Sequence, residues 1–156
     1  MLGIKHQLYV LLFIIFFTTA CHKSEPHTKP YNETANAKLD IAKAQEEAKL
    51  AQLPLVIIFG ANWCDDCQAL SHSLEKGELA TKIAKEFKIV KVNVGNFDTN
   101  LDIANTYGNP IQGGIPGAAF LSANNKVIYV TKPGELSAVR RRGDDGIYDF
   151  LKEKSK

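Results

Sequence analysis

From Trp63 to Cys67 the chain reads WCDDC, with Cys64 and Cys67 three positions apart and Asp65 and Asp66 between them. Two cysteines so placed suit a redox pair, part of a metal site, or two small buried residues. Their sulfurs can meet where a turn leads into a helix. The ring they would close constrains little of the unfolded chain, so stapling is a weak reason for it. Reversible exchange is a stronger one. Unpaired N–H groups and the helix dipole stabilise a thiolate at a helix start, while a thiol one turn inward is shielded. On that reading Cys64 attacks a partner disulfide and Cys67 resolves the mixed disulfide. The Asp65 and Asp66 carboxylates favour the helix start by roughly 0.3–1 kcal/mol each, yet their charge opposes a thiolate at Cys64. Weak oxidising power is therefore expected, with reduction or isomerisation favoured over making new disulfides. Trp63 can cover the pair with an apolar edge or simply fill core.

Rival chemistries have thinner support. Cys64, Cys67 and His72 make Cys-x2-Cys-x4-His, but a structural zinc site usually takes four protein ligands and no convincing fourth is present, so no metal or cofactor is expected. A Cys64 thiolate could start thiol peroxidase chemistry, with Cys67 resolving the sulfenic acid. A non-catalytic binding protein with permanently paired cysteines is another alternative. The sequence has no Gly-rich phosphate loop, His-Glu-x-x-His site or Gly-x-Ser-x-Gly turn.

The surrounding elements decide how such a pair is held. Ala37, Ile41, Ala44, Ala48 and Ala51 fall on one face of a helix expected over 34–52, which Pro54 ends. LVIIF, from Leu55 to Phe59, suits a central strand covered on both faces. After a turn at Gly60-Ala61-Asn62, a helix from about Cys64 would face Ala69, Leu70 and Leu74 inward. Leu79, Ile83 and Phe87 form another helical stripe, followed by a strand over KIVKVNV. Asn100 can cap a short helix carrying Leu101, Ala104 and Tyr107, with Gly108 ending it. GAAFL and KVIYV have the spacing of a β-hairpin. PGELSAVRRRG reads as a short helix stopped by Gly143, and a last helix turns Ile147, Phe150 and Leu151 inward. The arginines at 140–142 are expected to meet the helix dipole and solvent rather than an acidic partner or lipid headgroups. The layout is α/β: a central mixed β-sheet flanked by helices.

At 156 residues the chain has room for one ordinary domain. Eight Phe, five Tyr and one Trp with 23% charged residues describe a globular chain, and a formal charge of +2 gives no nucleic-acid binder. The start differs in kind. Lys5 and His6 precede LYVLLFIIFFTTA, an apolar run that reads as an export signal, with an uncleaved signal anchor as the alternative. His22 to Glu33 is polar with two prolines, a tether in which His22 and His27 are expected to be solvated rather than metal-bound.

Thr18-Thr19-Ala20-Cys21 resembles the bacterial lipoprotein signal, in which small residues precede a cysteine that receives lipid. Thr18 departs from the aliphatic residue usual there, and a simple secretory peptide with Cys21 free is the alternative. Lipidation would anchor the chain to a membrane and leave Cys64 and Cys67 as the pair of an exported, periplasmic or cell-envelope domain, where disulfides persist. The expected organisation is signal 1–20, lipidated tether 21–33 and domain 34–156.

FGANWCDDC, and later GGIPGAAFL from Gly113 to Leu121, resemble the two landmarks of the thioredoxin-like family, and the likeness covers roughly Thr34 to Leu151. It implies the thioredoxin-like fold, a cis bond before Pro116, and Ile115 and Pro116 positioning substrate beside the Cys64/Cys67 disulfide. Ile58 stands where ordinary thioredoxin has a buried proton-relay aspartate, and Asp65-Asp66 replaces the familiar Gly-Pro. The function implied is an extracytoplasmic thiol-disulfide oxidoreductase acting on protein or small-molecule disulfides. A thiol protein would supply its electrons, the membrane would hold it through Cys21, and it is expected to be a monomer.

Overall fold

The computed structural model describes residues 29–156. The expected export signal, Cys21, His22 and His27 lie outside the described residues. The elements run α1 (Ala37–Ala51), β1 (Leu55–Gly60), α2 (Asp65–Glu75), α3 (Gly77–Glu86), β2 (Lys88–Asn93), α4 (Leu101–Thr106), β3 (Gly117–Leu121), β4 (Val127–Val130), α5 (Glu135–Arg140) and α6 (Gly143–Lys154). The strands form one mixed sheet in the order β2-β1-β3-β4, with β1 parallel to β2 and antiparallel to β3.

LVIIFG is apolar throughout because it is covered on both sides, and every residue of β1 is buried. Successive side chains point to opposite faces. Val56 and Ile58 join Ala118 and Phe120 in a core with Leu70, Leu74, Leu79 and Ile83 from α2 and α3, and with residues of α5 and α6. Leu55, Ile57 and Phe59 meet Ile41 and Ala48 of α1, Val92 of β2 and Ile103 of α4 on the other face. No helix among the described residues is long and apolar enough to cross a membrane.

Several local expectations change in the folded chain. α1 starts at Ala37 with the Asn36 side chain accepting from Leu39 N–H, and Ala51, expected on its apolar face, is exposed. Ala69 is only half-buried. Asn100 precedes α4 but does not cap it: its residue is left-handed and its amide donates to the Asn93 carbonyl at 2.9 Å. α4 buries Ile103 and Ala104 while Leu101 is exposed. α5 ends at Arg140, three residues before Gly143, which instead opens α6.

The expected tether also ends sooner. Tyr31 is 1% exposed, packed inside the domain rather than linking to it. Its ring crosses the end of β1, where a Cβ on Gly60 would lie 2.7 Å from Cε1 and 2.5 Å from the hydroxyl oxygen. Gly60→Ala is therefore expected to lower stability by about 1–3 kcal/mol, as overpacking does. Urea unfolding followed by circular dichroism measures this, and the loss should shrink when Tyr31→Ala empties the space; an equal loss in both backgrounds would place its cause elsewhere.

Candidate active site

The register of the sheet assembles the site. Phe59 pairs with Gly117 across the antiparallel ladder, so the residues just after β1 and just before β3 share one end of the sheet. There the turn after Gly60 runs into α2, and Cys64 and Cys67 are joined by a disulfide with Cα atoms 5.2 Å apart. Cys64 is the N-cap of α2, and its Sγ accepts the Cys67 backbone N–H at 3.1 Å. The sulfur thus takes the place a serine or aspartate oxygen usually fills. A thiolate there would meet the same N–H and the positive end of the helix dipole. Cys64 keeps 7% of its surface exposed and Cys67 none.

From the other side come Ile115 and Pro116, joined by a cis peptide bond. The Ile115 carbonyl oxygen lies 3.8 Å from Cys64 Sγ. A thiol at Cys64 can donate to it, whereas a disulfide sulfur has no proton to give. Trp63 is neither core filling nor part of the buried cluster around the sulfurs. It is 54% exposed, its indole Nε1–H donates to the Gly95 carbonyl at 2.8 Å, and its ring leans on Phe97 with centroids 6.0 Å apart. The disulfide packs with Tyr31 and Ile115.

The aspartates occupy unlike places. Asp65 is exposed, while Asp66 meets Arg140 of α5, whose Nε and terminal nitrogen donate to the same carboxylate oxygen at 3.0 and 2.5 Å. The Ser137 hydroxyl and then the Arg140 guanidinium hold the Asp66 carboxyl below the usual carboxylate range. Arg140 therefore answers a charge of the WCDDC segment rather than solvent alone. The expected electrostatic penalty of two free carboxylates falls mainly to Asp65.

Ile58 is buried among Leu70 and Ala118, leaving no carboxylate at its position. Beside it in the parallel strand is Lys91, whose ammonium donates to Ser71 Oγ at 2.8 Å and pairs with Glu75. No cluster of three or more His, Cys, Asp or Glu side chains suited to a metal occurs among the described residues.

Tyr31 is the site residue that reading the sequence missed. Its backbone is clamped by one side chain: Tyr31 N–H donates to Asn62 Oδ1 at 3.0 Å, and Asn62 Nδ2 donates to the Tyr31 carbonyl at 2.7 Å. The Asn62 amide also donates to Glu33, and Gln68 fastens the Asn62 carbonyl at 2.6 Å. The available signal was one large aromatic in an otherwise polar, proline-flanked run, and an asparagine directly before WCDDC.

A family model described as thioredoxin-like matches residues 35–123. A disulphide isomerase structure from Xylella fastidiosa Temecula1 is 45% identical, with TM-score 0.76, covering 81% of this chain and 97% of that one. A thioredoxin of Rickettsia bellii is 31% identical over 64 residues, which are 41% of this chain and only 56% of that protein. The germline-specific thioredoxin Deadhead of Drosophila melanogaster, 20% identical with TM-score 0.50 over 68% of this chain and 90% of its own, shares the fold.

The Asp66 pairing has a pH consequence. A carboxyl whose folded pKa is depressed adds stability that is fully present above its unfolded value and lost as pH falls through the folded one. Because the pair is partly solvated, the contribution is at most about 1 kcal/mol. Arg140→Ala is expected to move the Asp66 titration upward in carboxylate NMR and shrink that acid-side loss; an unmoved titration would leave the Ser137 hydroxyl and the Arg141 charge as its causes.

Proposed function

Since this chain belongs to the thioredoxin-like family, we propose that it is an extracytoplasmic thiol-disulfide oxidoreductase that reduces or exchanges disulfides of exported proteins through Cys64 and Cys67. The observation that carries this reading is the disulfide at the start of α2, with Cys64 Sγ on the Cys67 N–H and Cys67 sealed behind it. In the dithiol form, the Cys64 thiolate attacks one sulfur of a substrate disulfide. A Cys64–substrate disulfide forms and the other substrate sulfur leaves as a thiolate. Cys67, deprotonated, then attacks Cys64 Sγ, closing the intramolecular disulfide and releasing the second substrate thiolate. Two electrons and two protons have passed to the substrate. A donor dithiol reverses these steps and restores the enzyme. If the substrate's own thiolate attacks first, the disulfide is rearranged with no net electron transfer.

Ile115 and Pro116 are assigned to hold the substrate chain against Cys64, and the exposed Trp63 and Phe97 give it an apolar rim. Exchange rather than net oxidation is supported by the 45% identity to the Xylella fastidiosa disulphide isomerase. The charge of Asp65 acts in the same direction, against a thiolate, while that of Asp66 is offset by Arg140. Thiol-dependent reduction of insulin disulfides tests the reading. The wild-type chain is expected to be active, Cys64→Ser inactive, and Cys67→Ala to accumulate mixed disulfides with envelope proteins. Equal activity in wild type and Cys64→Ser would overturn the role of Cys64.

The extracytoplasmic location rests on the apolar run from Leu8 to Ala20 and on Cys21 as the lipid-bearing residue. Nine residues, 22–30, separate Cys21 from the buried Tyr31, a reach of at most about 36 Å when extended. The active site would thus stay close to the membrane that holds it. Radiolabelled palmitate is expected to label the wild-type chain and not Cys21→Ser, which should leave the membrane fraction; labelling of both would refute the anchor.

A further inference from the structure

The Tyr31 hydroxyl is enclosed and has no hydrogen-bonding partner among the described residues. It belongs to a small buried cluster with Cys64 and Cys67, closed by Ile115. A phenylalanine would fill the same volume without burying an unsatisfied donor, a cost that native interiors usually avoid. Yet the chain holds this ring firmly. Asn62 clamps its backbone from both sides, and Gly60 leaves room for its hydroxyl end.

Such a donor has a use once the disulfide opens. A disulfide sulfur is a weak acceptor, whereas a thiolate is a strong one. Among the described residues the polar groups against the pair, the Cys67 N–H that donates and the Ile115 carbonyl that a Cys64 thiol would meet, both lie at Cys64 Sγ. Cys67 is wholly buried, and Ile58 supplies no polar group near it. A charge appearing there is strongly disfavoured unless a donor meets it.

We propose that the Tyr31 hydroxyl donates a hydrogen bond to the Cys67 thiolate, stabilising it as leaving group when the disulfide opens and as nucleophile when it closes. On opening, a donor thiolate bonds to Cys64 Sγ, the Cys64–Cys67 bond breaks, and its electron pair stays on Cys67. On closing, Cys67 attacks Cys64 Sγ and the electron pair leaves with the departing thiolate, which takes up the proton Cys67 has lost. Tyr31 keeps its own proton throughout. Burial, and secondarily the Glu75 carboxylate, raise its phenol above the ordinary range, which suits a donor and not a base. The other charges around the site are compensated or exposed: Glu75 pairs with Lys91, Asp66 with Arg140, Glu33 with Lys29, and Asp65 faces solvent.

The inference deepens the exchange reading and rests on it, but its test needs no turnover. In the full chain carrying Cys21→Ser and Cys64→Ser, Cys67 is the remaining thiol, titrated by NMR of labelled cysteine Cβ. Adding Tyr31→Phe is expected to raise its pKa by about one unit, roughly a tenfold loss of thiolate at a given pH below it. With Cys64 restored, and at a pH above the Cys67 pKa of both chains, where the reduced form carries the thiolate, Tyr31→Phe should shift the glutathione equilibrium about tenfold toward the disulfide, about 30 mV more negative. Fluorotyrosine at position 31, a stronger donor, should move both readouts the opposite way, and it serves alone if the phenylalanine chain does not fold. Unmoved titration and equilibrium would overturn the inference. So would an equal loss of stability in both redox forms with neither readout shifted, since that is packing alone. Failure of the exchange reading is distinguishable: insulin reduction would be absent while Cys67 still responded to Tyr31.

Discussion

The antiparallel ladder between β1 and β3 is the constraint on which the reactive end of the molecule depends. Cys64 and Ile115 are fifty-one positions apart, and they meet because Phe59 is paired with Gly117. That pairing survives because β1 is saturated: β2 occupies its other edge and helices cover both faces. A one-residue slip would exchange the two faces of β1 and set Ile57 and Phe59 against α2 and α3 in place of Val56 and Ile58, so the distinct packing on each face holds the register. The carbonyl of Ile115 is positioned beside the sulfur by the packing of residues that do no chemistry.

Charge around the sulfurs is arranged by the helices. The start of α2 offers a backbone N–H and the positive end of a dipole to Cys64. Two aspartates in that first turn support the same helix start, and left alone both would oppose a thiolate. Arg140 removes much of that conflict by reaching from α5 to Asp66, so helix start and thiolate need not compete for the same field. Asp65 remains in solvent, where screening weakens its influence.

The segment preceding the first helix belongs to the site as fully as the loops do. Tyr31 fills the space beside the disulfide, Asn62 holds its backbone, and Gly60 yields to its ring. One asparagine one position before Trp63 thereby couples the N-terminal segment to the turn that presents Cys64. A membrane-tethered chain would enter its domain at the reactive sulfurs rather than at a distant surface.

Legibility in the sequence followed the range of the physics involved. Periodicity and local chemistry determined the buried strand at Leu55–Phe59, the helix behind WCDDC, the hairpin of GAAFL with KVIYV and the apolar face of the last helix, because those patterns record burial within a few neighbouring residues. The same local reasoning failed where a partner lay far along the chain. Asn100 looked like a cap, but its amide is taken by the Asn93 carbonyl, and Leu101 is exposed. Arg140 read as one of three solvated cations, and Tyr31 as part of a tether. Side-chain type and spacing determined by themselves that two sulfurs would sit at a helix start. Only the tertiary structure decided what surrounds them, because Tyr31, Ile115 and Arg140 are brought there by strand pairing and helix packing across intervals that local pattern does not encode.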